Sequence, residues 1–130
     1  MVEDQDIMAA SLEVIGEAGT DIVPLFFERF LTTFPEEAQN FVNPGHAKGA
    51  MVNEMIGMLL ALAAGEEWPS NMMRIQLQAH HAYGDIDKQR YHDALDALLE
   101  TLKDGAGSKW TDQFDAAWRR RTRELSNLIN

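Results

Sequence analysis

Apolar residues return every three or four positions along nearly the whole chain, and nowhere is there the sustained alternation that a half-buried strand shows. The pattern predicts an all-α protein. A first helix runs from about Asp4 to Gly19, with Met8, Leu12 and Ile15 on one stripe. Thr20 or Asp21 can cap the next helix, Pro24 is tolerated in its first turn, and Phe26, Phe27, Phe30, Leu31 and Phe34 give a broad apolar face that must be buried. Pro35 lacks an amide hydrogen and disfavours helical geometry at Phe34, so the helix breaks there. Glu36 and Glu37 suit the positive start of a new short helix that ends around Phe41.

Asn43-Pro44-Gly45 reads as a turn, after which Val52, Met55, Ile56, Leu59 and Leu62 follow helical spacing until Gly65. Ser70 can cap a fifth helix that carries Met73, Leu77, His80 and His81 and closes at Gly84. Asp87 caps a sixth, with Tyr91, Leu95, Leu98 and Leu102 on one stripe. The run Asp104-Gly105-Ala106-Gly107-Ser108 reads as a break before a last helix with Phe114, Trp118, Leu125 and Leu128. About seven helices result, one of them the short helix after Pro35, with no internal repeat.

With 130 residues, 45% of them hydrophobic, the chain suffices for one core and not for two, so residues 1–130 are expected to form a single domain. There is no cysteine, which excludes disulfides and thiolate metal sites and fits a reducing cytoplasm. The start is acidic where a secretory signal would be basic, and the longest apolar run, MIGMLLALAAG, is too short for a membrane span. A net charge of −10 makes nucleic acid a repulsive partner. Arg119, Arg120 and Arg121 read as a solvated helix face flanked by Asp115 and Glu124, although a basic cluster can also meet a protein partner.

The four histidines are the candidates for chemistry. A di-iron bundle needs Glu-x-x-His, and no Glu stands three residues before any of them. The zinc-protease pattern His-Glu-x-x-His is also missing. Adjacent His80 and His81 lie about 100° apart around a helix, so they cannot readily chelate one ion. A lone imidazole on a core-facing stripe is what a haem iron requires, because the porphyrin supplies the other ligands. Met73, Leu77 and His81 are spaced four apart, which favours His81 over His80. His46 and His92 lack such company and are expected at the surface.

Two stretches carry a family resemblance. HAYGDIDKQRY, from His81 to Tyr91, resembles the proximal segment of bacterial single-domain globins and of the globin half of flavohaemoglobins, where the iron-ligating histidine stands ten residues before a tyrosine and a tryptophan follows in the last helix, as Trp118 does here. FFERFLTTFPEEAQNF resembles the second and third helices of that family, with Pro35 at the helix break and Phe41 in the place of the phenylalanine that packs on the haem face. The likeness runs from about Leu12 to Leu128 and implies a globin-like fold. It implies haem b (iron protoporphyrin IX), with His81 as proximal iron ligand and Phe27, Phe41, Lys48, Val52, Leu77, Tyr91 and Leu95 around the macrocycle.

The chain departs from the family in three places. Lys48 stands where the distal residue is usually histidine or glutamine, and it either extends to solvent or a haem propionate or contacts the ligand. A shift of register in the preceding loop would bring Met51 and Met55 to the iron instead. Phe27 falls where flavohaemoglobins carry an oxygen-binding tyrosine, and phenylalanine cannot donate a hydrogen bond. The family's proximal glutamate aligns beyond residue 130.

The implied function is reversible binding of a diatomic gas, O2, NO or CO, as in oxygen transport or storage. Nitric oxide dioxygenase activity would borrow electrons from a separate reductase, since 130 residues leave no room for a flavin domain. The alternative is a haem-free or sensory globin-fold module whose role is a protein contact. The choice among storage, detoxification and sensing is open, as is the oligomeric state, a homodimer included.

Overall fold

The computed structural model describes residues 3–36, 44–83 and 88–129, and of residues 44–50, 76 and 78–83 the backbone alone. Among them are six α-helices: α1 (Asp4–Glu17), α2 (Ile22–Thr33), α3 (Pro44–Ala63), α4 (Trp68–Tyr83), α5 (Lys88–Ala106) and α6 (Asp112–Ile129). No strand occurs among the described residues. The all-α expectation holds, and the architecture is compatible with a globin-like fold. The seventh helix, expected after Pro35, falls mostly on residues 37–43, outside the described residues; only Pro35 and Glu36 are seen, in a tight helical turn.

The helix ends follow local chemistry. Asp4 and Asp6 place negative charge at the positive start of α1. The Asp21 carboxylate accepts from the Val23 amide at 3.2 Å and caps α2, with Pro24 inside the first turn. That helix stops at Thr33 because Phe34, ahead of Pro35, has left helical geometry at φ −128°, ψ 72°. At the end of α3, Gly65 takes φ +80°, which lets its own amide reach the Leu62 carbonyl and the Glu66 amide reach the Ala61 carbonyl. Thr111 opens α6, its hydroxyl accepting from the Phe114 amide at 3.1 Å.

Three boundaries differ from the sequence reading. Helix α3 begins at Pro44, inside the expected turn, because proline at a first helical position has no amide to satisfy and a backbone angle already suited to the helix. Helix α4 begins at Trp68 rather than Ser70, and the Ser70 hydroxyl donates back to the Glu67 carbonyl at 2.9 Å instead of capping. Helix α5 runs on through Asp104, Gly105 and Ala106 before a single tight turn at Gly107–Lys109. Gly105 is where the α1–α2 corner presses on α5: a Cβ there would sit 3.1 Å from the Ile22 side chain and 3.3 Å from that of Thr20. Its lack of a side chain serves packing and does not end the helix.

Helix α6 packs on α1, α3, α4 and α5, and α5 packs most extensively on α2. The core joins Met8, Ile15, Phe26, Phe30, Met58, Leu59, Leu98, Leu102, Trp118 and Leu125. A deep polar link ties α6 to α1: the Trp118 indole donates to the Ser11 hydroxyl at 2.8 Å, and that hydroxyl donates to the Met8 carbonyl at 2.6 Å. On the surface the three consecutive arginines of α6, Arg119 to Arg121, have acidic partners. Arg119 meets Asp115 and Arg121 meets Glu124, as expected, while Arg120 reaches Asp4 of α1 at 2.6 Å. No helix among the described residues is long and apolar enough to cross a membrane.

Candidate functional site

Five of the predicted pocket residues, on α2, α3, α4 and α5, lie in the hydrophobic core or pack against it. Phe27 of α2, Val52 of α3 and Leu95 of α5 are at most 3% exposed and belong to a single apolar cluster. Leu77 of α4 and Tyr91 of α5 are half-buried and pack against it. Each is set by helical register: Phe27 lies beside Phe26 and a turn before Phe30, Val52 a turn before Met55, and Leu95 between Tyr91 and Leu98 on the buried face of α5. Phe27 meets the Phe26 ring edge-on, with centroids 4.9 Å apart and planes at 88°. This is the favoured geometry for two rings in an apolar setting.

Phe41 lies outside the described residues, and Lys48, His46, His80 and His81 are described by backbone alone. Lys48 stands on α3 one turn before Val52, the spacing assigned to it from sequence. His81 stands in the last turn of α4, one turn after Leu77. Helix register alone does not separate the two neighbouring histidines. His81 follows half-buried Leu77 by four residues but exposed Arg74 by seven, whereas His80 follows buried Met73 by seven. The expectation of His81 rests on its spacing to Tyr91, ten residues on in sequence. His92, expected at the surface, is half-buried in α5.

Among the described residues no group of three His, Cys, Asp or Glu side chains could hold a metal ion. The described walls are apolar apart from the Tyr91 hydroxyl, so they offer a macrocycle dispersion contacts and water exclusion rather than ligands. Adjacent histidine positions at the end of α4, next to apolar and aromatic core residues, are a donor set of the chemistry that haem takes. A surface groove of about 480 Å³ runs elsewhere, between α2 and α5, lined by Leu25, Glu28, Arg29, Thr32, Thr33, Thr101 and Asp104. An Arg29–Asp104 ion pair lies in it, and it shares no residue with the apolar cluster.

Sequence reading missed one set of residues at the margin of this cluster. Arg90, adjacent to Tyr91, lies over the Phe34 ring and pairs with Glu36. Its position next to Tyr91 was the available signal, but the partners are more than fifty residues away.

The all-α architecture, with six α-helices among the described residues, is compatible with the globin-like class. Over 128 residues, 96% of its length, the chain is 24% identical to a flavohemoprotein of Rhizobium meliloti (strain 1021), and it spans about a third, 32%, of that relative. No protein-family model matches the chain, and no solved structure matches it.

Proposed function

We propose that the chain is a haem b-binding globin that reversibly holds a diatomic gas, O2, NO or CO, with His81 as the proximal iron ligand. The observation that carries this reading is that Phe27, Val52 and Leu95, from three helices, are buried in the hydrophobic core with Leu77 and Tyr91 packed against it, while the helix bearing Leu77 runs on through His81. The similarity to a flavohemoprotein across nearly the whole chain supports it. Haem b, when bound, supplies an iron that takes one imidazole and one gas molecule.

The chain's own residues do the rest. Leu77 and Leu95, with Phe41, give the macrocycle apolar contact, and Phe27 and Val52 keep water from the gas side. The Phe27 ring offers no hydrogen-bond donor, so oxygen is held with little polar help and leaves quickly. Lys48, one turn before Val52, extends to solvent or to a propionate, since a charged ammonium is a poor ligand. On this reading the Tyr91 hydroxyl either orients the proximal imidazole or is itself satisfied by backbone. Turnover of nitric oxide would draw electrons from a reductase.

Hemin titrated into the purified chain should give a Soret band that saturates at one equivalent. A chain that stays colourless would leave the helical protein-contact module as the better account.

A further inference from the structure

Arg90 stands in the first turn of α5, directly before Tyr91. The carbon at the centre of its guanidinium lies 3.8 Å from the centroid of the Phe34 ring, and Nη2 donates to the Glu36 carboxylate at 3.0 Å. Phe34 is the outer ring of a column along α2. Its centroid is 5.4 Å from that of Phe30, and Phe30 is stacked on Phe26 at 5.4 Å and 13°. Phe27 meets the inner end of that column edge-on. One arginine thus caps a line of rings that runs from the surface of the molecule to the gas-side wall of the pocket.

We infer that Arg90 is a positioning residue of the cofactor pocket: by stacking on Phe34 and pairing with Glu36 it locks the end of α2 to the start of α5, the helices that carry Phe27, Tyr91 and Leu95, and so slows the loss of haem. The inference rests on the haem reading above. A planar guanidinium is suited to the task, because it can lie on a ring face while donating in its own plane to a carboxylate, which an ammonium cannot do. The Glu36 carboxyl is held below the usual carboxylate range by a hydrogen bond from its own backbone amide and by Arg90, so it is ionised at neutral pH. Glu36 is 58% exposed and Arg90 23%. The ion pair is therefore the weaker half of the clasp and the stack the stronger.

That asymmetry fixes the test. The holoprotein, its Arg90→Met, Arg90→Lys and Glu36→Gln variants are each mixed with excess haem-scavenging apoglobin, and the decay of the Soret band is followed. Urea unfolding of the haem-free forms is measured in parallel. Haem release should quicken by about three- to tenfold in Arg90→Met, nearly as much in Arg90→Lys, and by less than about twofold in Glu36→Gln. The urea midpoints should move too little to account for the release rates. A coloured wild type with Arg90→Met releasing haem at the wild-type rate overturns the clasp alone. So does acceleration that only tracks a fall in urea midpoint. Should Arg90→Met fail to fold, Arg90→Lys decides: wild-type release there overturns the proposal, and accelerated release upholds it. A wild type that takes up no hemin overturns the haem reading and the clasp together.

Discussion

Ser11 and Trp118 are both fully buried, and the hydroxyl of one is the acceptor for the indole of the other at 2.8 Å, across 107 residues of chain. Ser11→Ala removes that acceptor and leaves a buried N–H without a partner, at about 1–3 kcal/mol. The better helix propensity of alanine offsets up to about 0.5 kcal/mol of this. The lost bond from Ser11 to the Met8 carbonyl matters less, because a helical carbonyl has its own backbone donor. The net loss is about 0.5–2.5 kcal/mol. With an unfolding entropy of roughly 2.1 cal/mol/K per residue over 130 residues, Tm falls by about 2–9 °C.

The control is the same substitution in a Trp118→Phe background, where no indole donor remains and Ser11→Ala should cost less than about 0.5 kcal/mol. Thermal unfolding of the haem-free protein, followed by far-ultraviolet circular dichroism, reads both. Equal cost in the two backgrounds would refute the claim that this bond is what ties α6 to α1.

Two further outcomes follow from named contacts. The Asp4 carboxyl is held below its ordinary range, chiefly by the Arg120 hydrogen bond, with the Arg120 and Arg121 charges adding to it. A depressed folded value stabilises fully above the unfolded carboxylate value, about 3.9, and is lost as pH falls through the folded one. Asp4→Asn should therefore be less stable than wild type at pH 7 in urea unfolding, with the gap closing below about pH 4; an equal gap at pH 7 and pH 3 would contradict this. On the gas side, Phe27→Tyr supplies the missing donor. Stopped-flow release of oxygen should slow by about fivefold or more, since one hydrogen bond to a polarised acceptor contributes on the order of 1 kcal/mol. Release unchanged by that substitution would place Phe27 away from the gas.

The features legible in the sequence are those decided by neighbours in the chain. The Asp21 cap, the break before Pro35 and the stop at Gly65 all depend on a few adjacent residues, and all appear as read. The burial of Phe27, Val52 and Leu95 followed from helical spacing, because a stripe of apolar side chains must face the core. Errors arose where tertiary contact reassigns a local signal. Gly105 looks like a breaker until the Ile22 and Thr20 side chains are seen against it. Asn43-Pro44-Gly45 looks like a turn, yet Pro44 opens α3. The Arg90 stack on Phe34 and the Trp118 bond to Ser11 join distant segments, and no periodicity announces such pairs. The choice between His80 and His81 is of another kind, since adjacent positions on one helix differ only in register.

The central claim is that a single imidazole at residue 81 tethers haem. The most direct measurement is the ultraviolet-visible spectrum of hemin-reconstituted His81→Ala and His80→Ala beside wild type, at equal protein and equal hemin. A Soret band lost in His81→Ala and kept in His80→Ala is the predicted result; a band that survives in His81→Ala, or fails to form in wild type, would contradict it.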